Sequence, residues 1–476
     1  MSVFARGKTN SVSSPGHERG AVWNPSDLPA IPETLEAIWN PEGVDEEGNE
    51  GSTEFQEIKT RLHRKLLERL NLSSLSERNQ EEAETEVGRI VRQMLATESA
   101  PLNMEEREKI VEQVVHEIFG LGPLEPLIKD QSISDILVNG YNSVYVERNG
   151  RLYKSSINFR DNQHLLQVID RIVSAVGRRI DDSSPMVDAR LRDGSRVNAI
   201  IPPLALDGPH ISIRKFRRDV LSAEDLIRNG SISESMLTFL RAAVAARLNI
   251  LISGGTGSGK TTFLNVLSDA IPANERIVTI EDSAELQLRQ PHVVRLETRP
   301  PNIEGRGQVD QRQLVINALR MRPDRIVVGE VRSAEALDML QAMNTGHDGS
   351  ITTLHANSPR DALGRLETLI QMAGMSLGES AMRRQIASAI DIVIHLSRLS
   401  DGKRKVMNIS EVVGMEGEVI TMQDLFLFER KGVGEDGSVT GAFRARGIRP
   451  RAAERLQAVG INLEETLFSD MPARGR

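Results

Sequence analysis

Cysteine is absent from all 476 residues. Disulfides, thiolate catalysis, zinc-finger sites and iron–sulfur clusters are excluded together, and the absence suits a reducing compartment. Aromatic residues make up only 3% of the chain, too few for base-stacking platforms. An excess of positive charge is missing as well. Lys and Arg number 59 against 67 Asp and Glu, a formal charge of −8, opposite in sign to the footprint of a dedicated nucleic-acid binder. No run approaches the roughly 18 consecutive apolar residues of a spanning helix. The opening stretch Met1–Gly20 lacks the apolar centre of a signal peptide. A cytoplasmic protein is expected, with any membrane association peripheral. What is present is 39% hydrophobic and 26% charged, a composition that builds soluble cores, over a length that suggests about three domains.

Residues 1–54 are rich in Ser, Pro, Gly, Asn and Glu and read as a disordered tail. Over 55–120 three amphipathic patterns follow. Phe55, Ile58, Leu62, Leu66 and Leu70 carry the first, and Ala83, Val87, Ile90, Val91 and Met94 the second. The third starts at Asn103 with Glu106 three residues on, a capping box, and stops at Gly120. Three such helices hide their apolar faces by bundling. Residues 121–219 change to short strands: Ile136–Val138, Val144–Val146, Ile157–Phe159, Val197–Ile201 and Ile211–Ile213. A helix spans His164–Val176, Asn149-Gly150 is a hairpin signal, and a basic linker begins at Arg214. This is an α+β domain. Over 220–476 helices alternate with strands at Ile250–Ile252, Ile277–Ile280, Ile326–Val328, Ile351–Leu354 and Ile390–Ile394, the pattern of a mainly parallel α/β sheet. Val406–Val413 and Glu418–Thr421 add an antiparallel extension.

Gly254-Gly255-Thr256-Gly257-Ser258-Gly259-Lys260-Thr261, followed by Thr262, fits G-x-x-x-x-G-K-[ST] without substitution. Glycines let backbone N–H groups close around phosphates. Lys260 brings a cation to the terminal phosphates, and the Thr261 hydroxyl suits Mg²⁺. Hydrolysis also needs carboxylates at strand ends to hold the metal and orient water. Glu281 and Asp282 end one strand and Glu330 another. Spacing leaves open which acid serves Mg²⁺ and which the water. His355 ends a third strand, at the rim where such sheets bind ligands, although spacing alone favours a structural histidine there. Arginines are dense around these elements (Arg320, Arg322, Arg325, Arg332, and earlier Arg190, Arg196, Arg214). A P-loop site commonly needs one of them on the γ-phosphate, and spacing cannot choose it.

Four segments in this order resemble the Walker A, Asp, Walker B and His boxes of the type II/type IV secretion ATPases: Gly254–Thr261, Ile280-Glu281-Asp282, Val328-Gly329-Glu330-Val331-Arg332, and Thr345–Ser350 running on to Leu354–Pro359. Gly120–Leu127, Gly177–Asp181, Asp188–Asn198, Ile213–Phe216 and Val412–Gly417 look like the CpaF/TadA branch, which drives tight-adherence (Flp, type IVc) pili. The resemblance covers roughly residues 55–460. It implies a RecA-like ATPase domain preceded by a PAS-like α+β domain and the helical bundle, assembled as a homohexamer with ATP and Mg²⁺ bound between the α+β and P-loop domains. Lys260 and Thr261 would hold phosphates and Mg²⁺, Glu281 would activate water, and Glu330, the Walker B acid, would serve the metal with Asp282 beside it. His355 would sense the phosphate, and Arg196 and Arg214 would reach the γ-phosphate. The partner would be a polytopic inner-membrane platform, with no direct nucleic acid. The machine served would be a pilus, assembled and with or without retraction. A conjugation or effector-export ATPase, a scaffold with little hydrolysis and a nucleic-acid motor are the competing readings.

Overall fold

The computed structural model describes positions 55, 58–59, 61–62 and 65–66, then 80–97, 102–148, 151–191, 193–216, 221–301, 305–374, 377–434 and 437–469. The expected tail over 1–54 and the Asn149-Gly150 turn lie outside these residues.

The three N-terminal apolar stripes meet in one cluster, in which Phe55, Ile58, Leu62 and Leu66 pack with Val87, Val91, Ile110 and Val114. The helices Gln80–Thr97 and Met104–Phe119 supply the latter four. The second begins on the expected capping box. Glu106 N donates to the Asn103 side chain, and Asn103 N donates to the Glu106 carboxylate.

Six strands form a wholly antiparallel sheet. They are β1 (Ile133–Asn139), β2 (Val144–Arg148), β3 (Arg151–Lys154), β4 (Met186–Arg190), β5 (Arg196–Ile200) and β6 (His210–Arg214), in the order β3-β2-β1-β6-β5-β4. The helix Asn162–Ala175 packs Leu165, Val168, Ile169 and Ile172 against alternate residues of the sheet. Ile157–Phe159, expected as a strand, is not one. Ile157 N donates to Ser155 Oγ and Asn158 Nδ2 to the Ser156 carbonyl, local bonds that compete with a ladder. Phe159 instead buries edge-on against His164.

The larger sheet contains β7 (Ile250–Gly254), β8 (Ile277–Glu281), β9 (Val293–Glu297), β10 (Arg325–Val328), β11 (Ile351–Leu354), β12 (Ile392–Arg398), β13 (Arg404–Glu416), β14 (Val419–Val433) and β15 (Val439–Ala445). Their order is β15-β14-β13-β12-β7-β11-β10-β8-β9. The run from β12 to β9 is parallel, and β13–β15 extend it antiparallel. This is the RecA-like α/β architecture with its antiparallel addition. β7, β8, β10 and β11 are buried throughout, as strands covered on both faces must be. One apolar core lies on each side of this sheet. In one of them Phe239, Phe426 and Phe468 stack with centroids 5.7–5.9 Å apart.

Arg325, at the start of β10, is fully buried. It donates to both Glu275 oxygens (2.8 and 3.1 Å) and to the carbonyls of Gly349 and Val244. A Cβ at Gly349 would lie 2.7 Å from Arg325 Nη1, so the glycine is a mould for the guanidinium. Glu275→Ala is expected to lower stability by about 3–5 kcal/mol, because it strands a buried cation. Chemical denaturation checks this, and a loss under about 1 kcal/mol would show that the pair is dispensable.

Candidate functional site

β7 is central and ends in the phosphate-type loop, and the helix Lys260–Ser268 leaves it. A Cβ at Gly254 would stand 2.4 Å from the Leu396 carbonyl of β12 and 2.6 Å from Ser258 Oγ. Only glycine allows that approach. Gly259 adopts φ +91° and opens the helix with no side-chain cap, leaving its first N–H groups to a ligand or solvent. Lys260 folds back onto the loop, with Nζ donating to the Gly254 and Gly255 carbonyls at 3.0 and 3.1 Å. Thr261 and Thr262 follow on the first turn and are half-buried. Gly254→Ala is expected to cost about 1–3 kcal/mol by overpacking and to abolish nucleotide retention. Thermal melts with and without nucleotide test both effects.

The parallel register places the carboxylate-bearing ends of β8 and β10 and the His355 end of β11 along one edge of the sheet. Glu281 is 3% exposed. Its Oε2 accepts from Glu285 N and Leu286 N at 2.7 and 2.9 Å, while its Oε1 accepts no hydrogen bond within the described protein. Burial pushes this carboxyl above the usual range, against the lowering effect of the two N–H groups. Gly329 must lack a side chain here, since its Cβ would lie 2.9 Å from Glu281 Cγ.

Glu330 Oε2 accepts from Arg332 Nε and Nη2 at 2.8 and 2.5 Å. Its Oε1 stands 2.6 Å from His355 Nε2. Arg332 Nη1 also donates to Asp282 at 3.0 Å, and Thr298 Oγ1 donates to the same carboxylate. Lys260 Nζ lies 3.4 Å from His355 Nε2. Lys260, His355, Glu330, Arg332 and Asp282 thus lie in one contiguous polar cluster, in which Glu330 Oε1 accepts no hydrogen bond within the described protein. Burial, then Lys260, holds the His355 imidazole below its usual pKa, with Glu330 opposing. Burial likewise lowers Lys260.

The arginines of the antiparallel sheet divide. Arg196 of β5 donates to the Ser283 carbonyl at 2.8 Å and pairs with Glu285 at 3.3 Å, immediately after Glu281. Arg214, its cross-strand neighbour on β6, pairs with Asp135 of β1 at 3.4 Å. In the sequence Arg332 and Arg190 belong to a dense set of arginines and to the segments Val328–Arg332 and Asp188–Asn198, without a role of their own. The structure gives Arg332 the bridge between two acids, and places Arg190 Nη1 against both oxygens of Glu297. The only sequence signal for Arg332 is its place two residues after Glu330. Among the described residues no group of three or more His, Asp or Glu could hold a metal alone, and no helix is long and apolar enough to cross a membrane.

The family model described as "Type II/IV secretion system protein" matches residues 117–448. A protein of Mycobacterium tuberculosis named for conjugal transfer is 41% identical over 309 residues, covering 64% of this chain and 87% of that protein. The type IV secretion system protein VirB11 of Bartonella quintana is 31% identical over 328 residues, covering 61% and 91%. The crystal structure of the VirB11 ATPase from the Brucella suis type IV secretion system in complex with sulphate is 29% identical, covers 61% of this chain and 95% of its own, and superposes with a TM-score of 0.34.

Proposed function

The chain belongs to the type II/IV secretion system protein family, and on that premise we propose that it is an ATP-hydrolysing motor for a membrane-embedded secretion machine. The observation that carries the reading is Glu281. It is a buried carboxylate with one unpartnered oxygen and a raised pKa, at the end of a strand with two strands between it and the one that leads into the phosphate loop, in the same parallel sheet, the state a general base for water requires. A binding-only scaffold has no use for such a group.

The residues present fit a nucleoside triphosphate. The cradle admits only glycine at 254, and Lys260 Nζ, now on loop carbonyls, can turn to phosphate oxygens. Mg²⁺ is commonly held by one or two protein oxygens plus phosphates, and Thr261, Glu330 and Asp282 supply candidates. The ion would neutralise charge on the phosphates. Glu330, whose Oε2 now accepts from Arg332 and whose Oε1 stands beside His355 Nε2, would help hold the ion, and His355 would lie where it senses the occupancy of that carboxylate. Arg196 lies one loop from Glu281 and is the nearer arginine for a γ-phosphate. Arg214 would first have to leave Asp135. The active assembly is a homohexamer, working on a platform at the inner membrane from the cytoplasmic side.

The sequence motifs put a tight-adherence pilus first among the machines served. The names of the relatives reverse that order and favour a type IV secretion apparatus of the conjugal-transfer kind. The pilus reading retains the support of the CpaF/TadA-like segments. The test is Mg²⁺-dependent ATP hydrolysis by the purified full chain, with mass by light scattering and Glu330→Gln as control. A hexamer whose turnover collapses in the control supports the motor, whereas turnover equal to the control sinks it. A deletion strain that loses macromolecular transfer but keeps surface filaments assigns the machine.

A further inference from the structure

The contact between the two sheets involves Arg196 and, beside it, an arginine and a glutamate that the hydrolytic reading does not use. Arg190, at the end of β4, donates through Nη1 to both oxygens of Glu297 on β9, at 2.9 and 2.8 Å. Its Nη2 donates to the Ala284 carbonyl at 2.8 Å, and its Nε to the Gly194 carbonyl at 3.2 Å. Ala284 N donates back to Glu297 at 3.2 Å. Glu297 is the register neighbour of Glu281 on the adjacent parallel strand. The turn that Arg190 grips continues into Glu285 and Leu286, whose N–H groups hold Glu281 Oε2. Arg196 holds the residue between, through the Ser283 carbonyl.

We propose that Arg190 and Glu297 form a latch between the antiparallel sheet and the P-loop sheet that positions Glu281 for hydrolysis. The inference rests on the proposed ATPase activity and assigns Arg190 and Glu297 as positioning residues that touch no substrate. The physical argument is one of constraint. Segment 283–286 has no strand or helix of its own. Its geometry is therefore set by what holds it, and in this structure the grips from outside the P-loop sheet are Arg190 and Arg196. One planar guanidinium, with Nη1 on both Glu297 oxygens and Nη2 on the Ala284 carbonyl, ties β4 to both the strand and the turn and fixes orientation as well as distance. A base oriented by two N–H groups loses that orientation when their turn shifts, and a misplacement of about 1 Å costs up to about a hundredfold in rate. The phosphate loop, by contrast, is built on β7, β11 and β12, away from the latch. The gripped turn reaches the phosphate-loop helix further on, where Gln287 N donates to Asn265, so opening the latch is expected to change turnover far more than nucleotide affinity.

The test is steady-state ATPase kinetics and fluorescent-nucleotide affinity on the full-length hexamer, for Arg190→Ala, Glu297→Gln and the charge exchange R190E/E297R. The expected result is a kcat about ten- to a hundredfold lower in both single variants, with nucleotide Kd within about twofold, and recovery of most of the loss in the exchange. Should Arg190→Ala fail to fold or assemble, Glu297→Gln carries the same test with a near-isosteric change. The latch is overturned if wild-type turnover persists in both single variants, or if kcat and affinity fall together. Absence of turnover in the wild type overturns the ATPase reading itself, and the latch with it.

Discussion

On the proposed ATPase reading, Lys260→Ala is expected to lower ATP turnover by about a hundred- to a thousandfold, the scale seen when a preorganised charge aimed at a reacting group is removed. Two effects combine. The cation that would meet the terminal phosphates is gone, and the Gly254 and Gly255 carbonyls lose the donor that holds them. The substitution also acts on His355, whose imidazole is depressed first by burial and then by Lys260. Without the ammonium, its pKa rises and it gains a proton more readily beside Glu330. The variant therefore binds less nucleotide and carries a differently charged network. Activity equal to wild type would exclude the phosphate loop from catalysis.

Glu281→Gln separates binding from chemistry. The amide oxygen can still accept from Glu285 N and Leu286 N, so the turn and the phosphate loop keep their shape. Nucleotide Kd changes little while kcat falls about a hundred- to ten-thousandfold, the contribution of a positioned general base. Single-turnover quench measurements read this directly, and a kcat within threefold of wild type would move the base to Glu330. The raised pKa of Glu281, caused chiefly by burial, sets the sign of the pH dependence. A base must be ionised, so kcat falls on acidification through a pKa above that of an ordinary glutamate, about 4.3. Stability runs the other way. A carboxyl whose pKa is raised by folding binds its proton more tightly folded than unfolded, so protonation through that window stabilises the chain. At this one carboxyl, the protonation that adds stability is the one that silences the base.

Much of the P-loop half was legible in the sequence. β7, β8, β10 and β11 are short apolar runs, and each ends on or leads within two residues into a chemically distinctive residue, because buried parallel strands leave only their ends for polar groups. β4 and β9 were not legible. They are edge strands carrying Arg190, Arg295 and Glu297 among half-buried residues, so neither an apolar run nor clean alternation marks them. The latch is invisible for the same reason, since Arg190 and Glu297 stand 107 residues apart in segments that do not announce themselves as strands. Ile157–Phe159 misled in the opposite direction. Its apolar residues suggested a strand, but flanking Ser155, Ser156 and Asn158 gave the backbone local partners. The candidate acids Glu281, Asp282 and Glu330 are picked out by residue type and by their place after apolar strands. The bridging role of Arg332 required seeing that β8 and β10 are adjacent.

The aromatic trio bears on how the protein can be dissected. The family-wide portion ends at residue 448, which invites a minimal expression fragment stopping there. Phe468 lies twenty residues beyond that point, yet it shares a core with Phe239 and Phe426. A fragment cut at the family boundary would expose two large rings to water and present them to the next molecule. Any smaller working piece of this chain must extend through Phe468, and a fusion at that end needs its junction after residue 469.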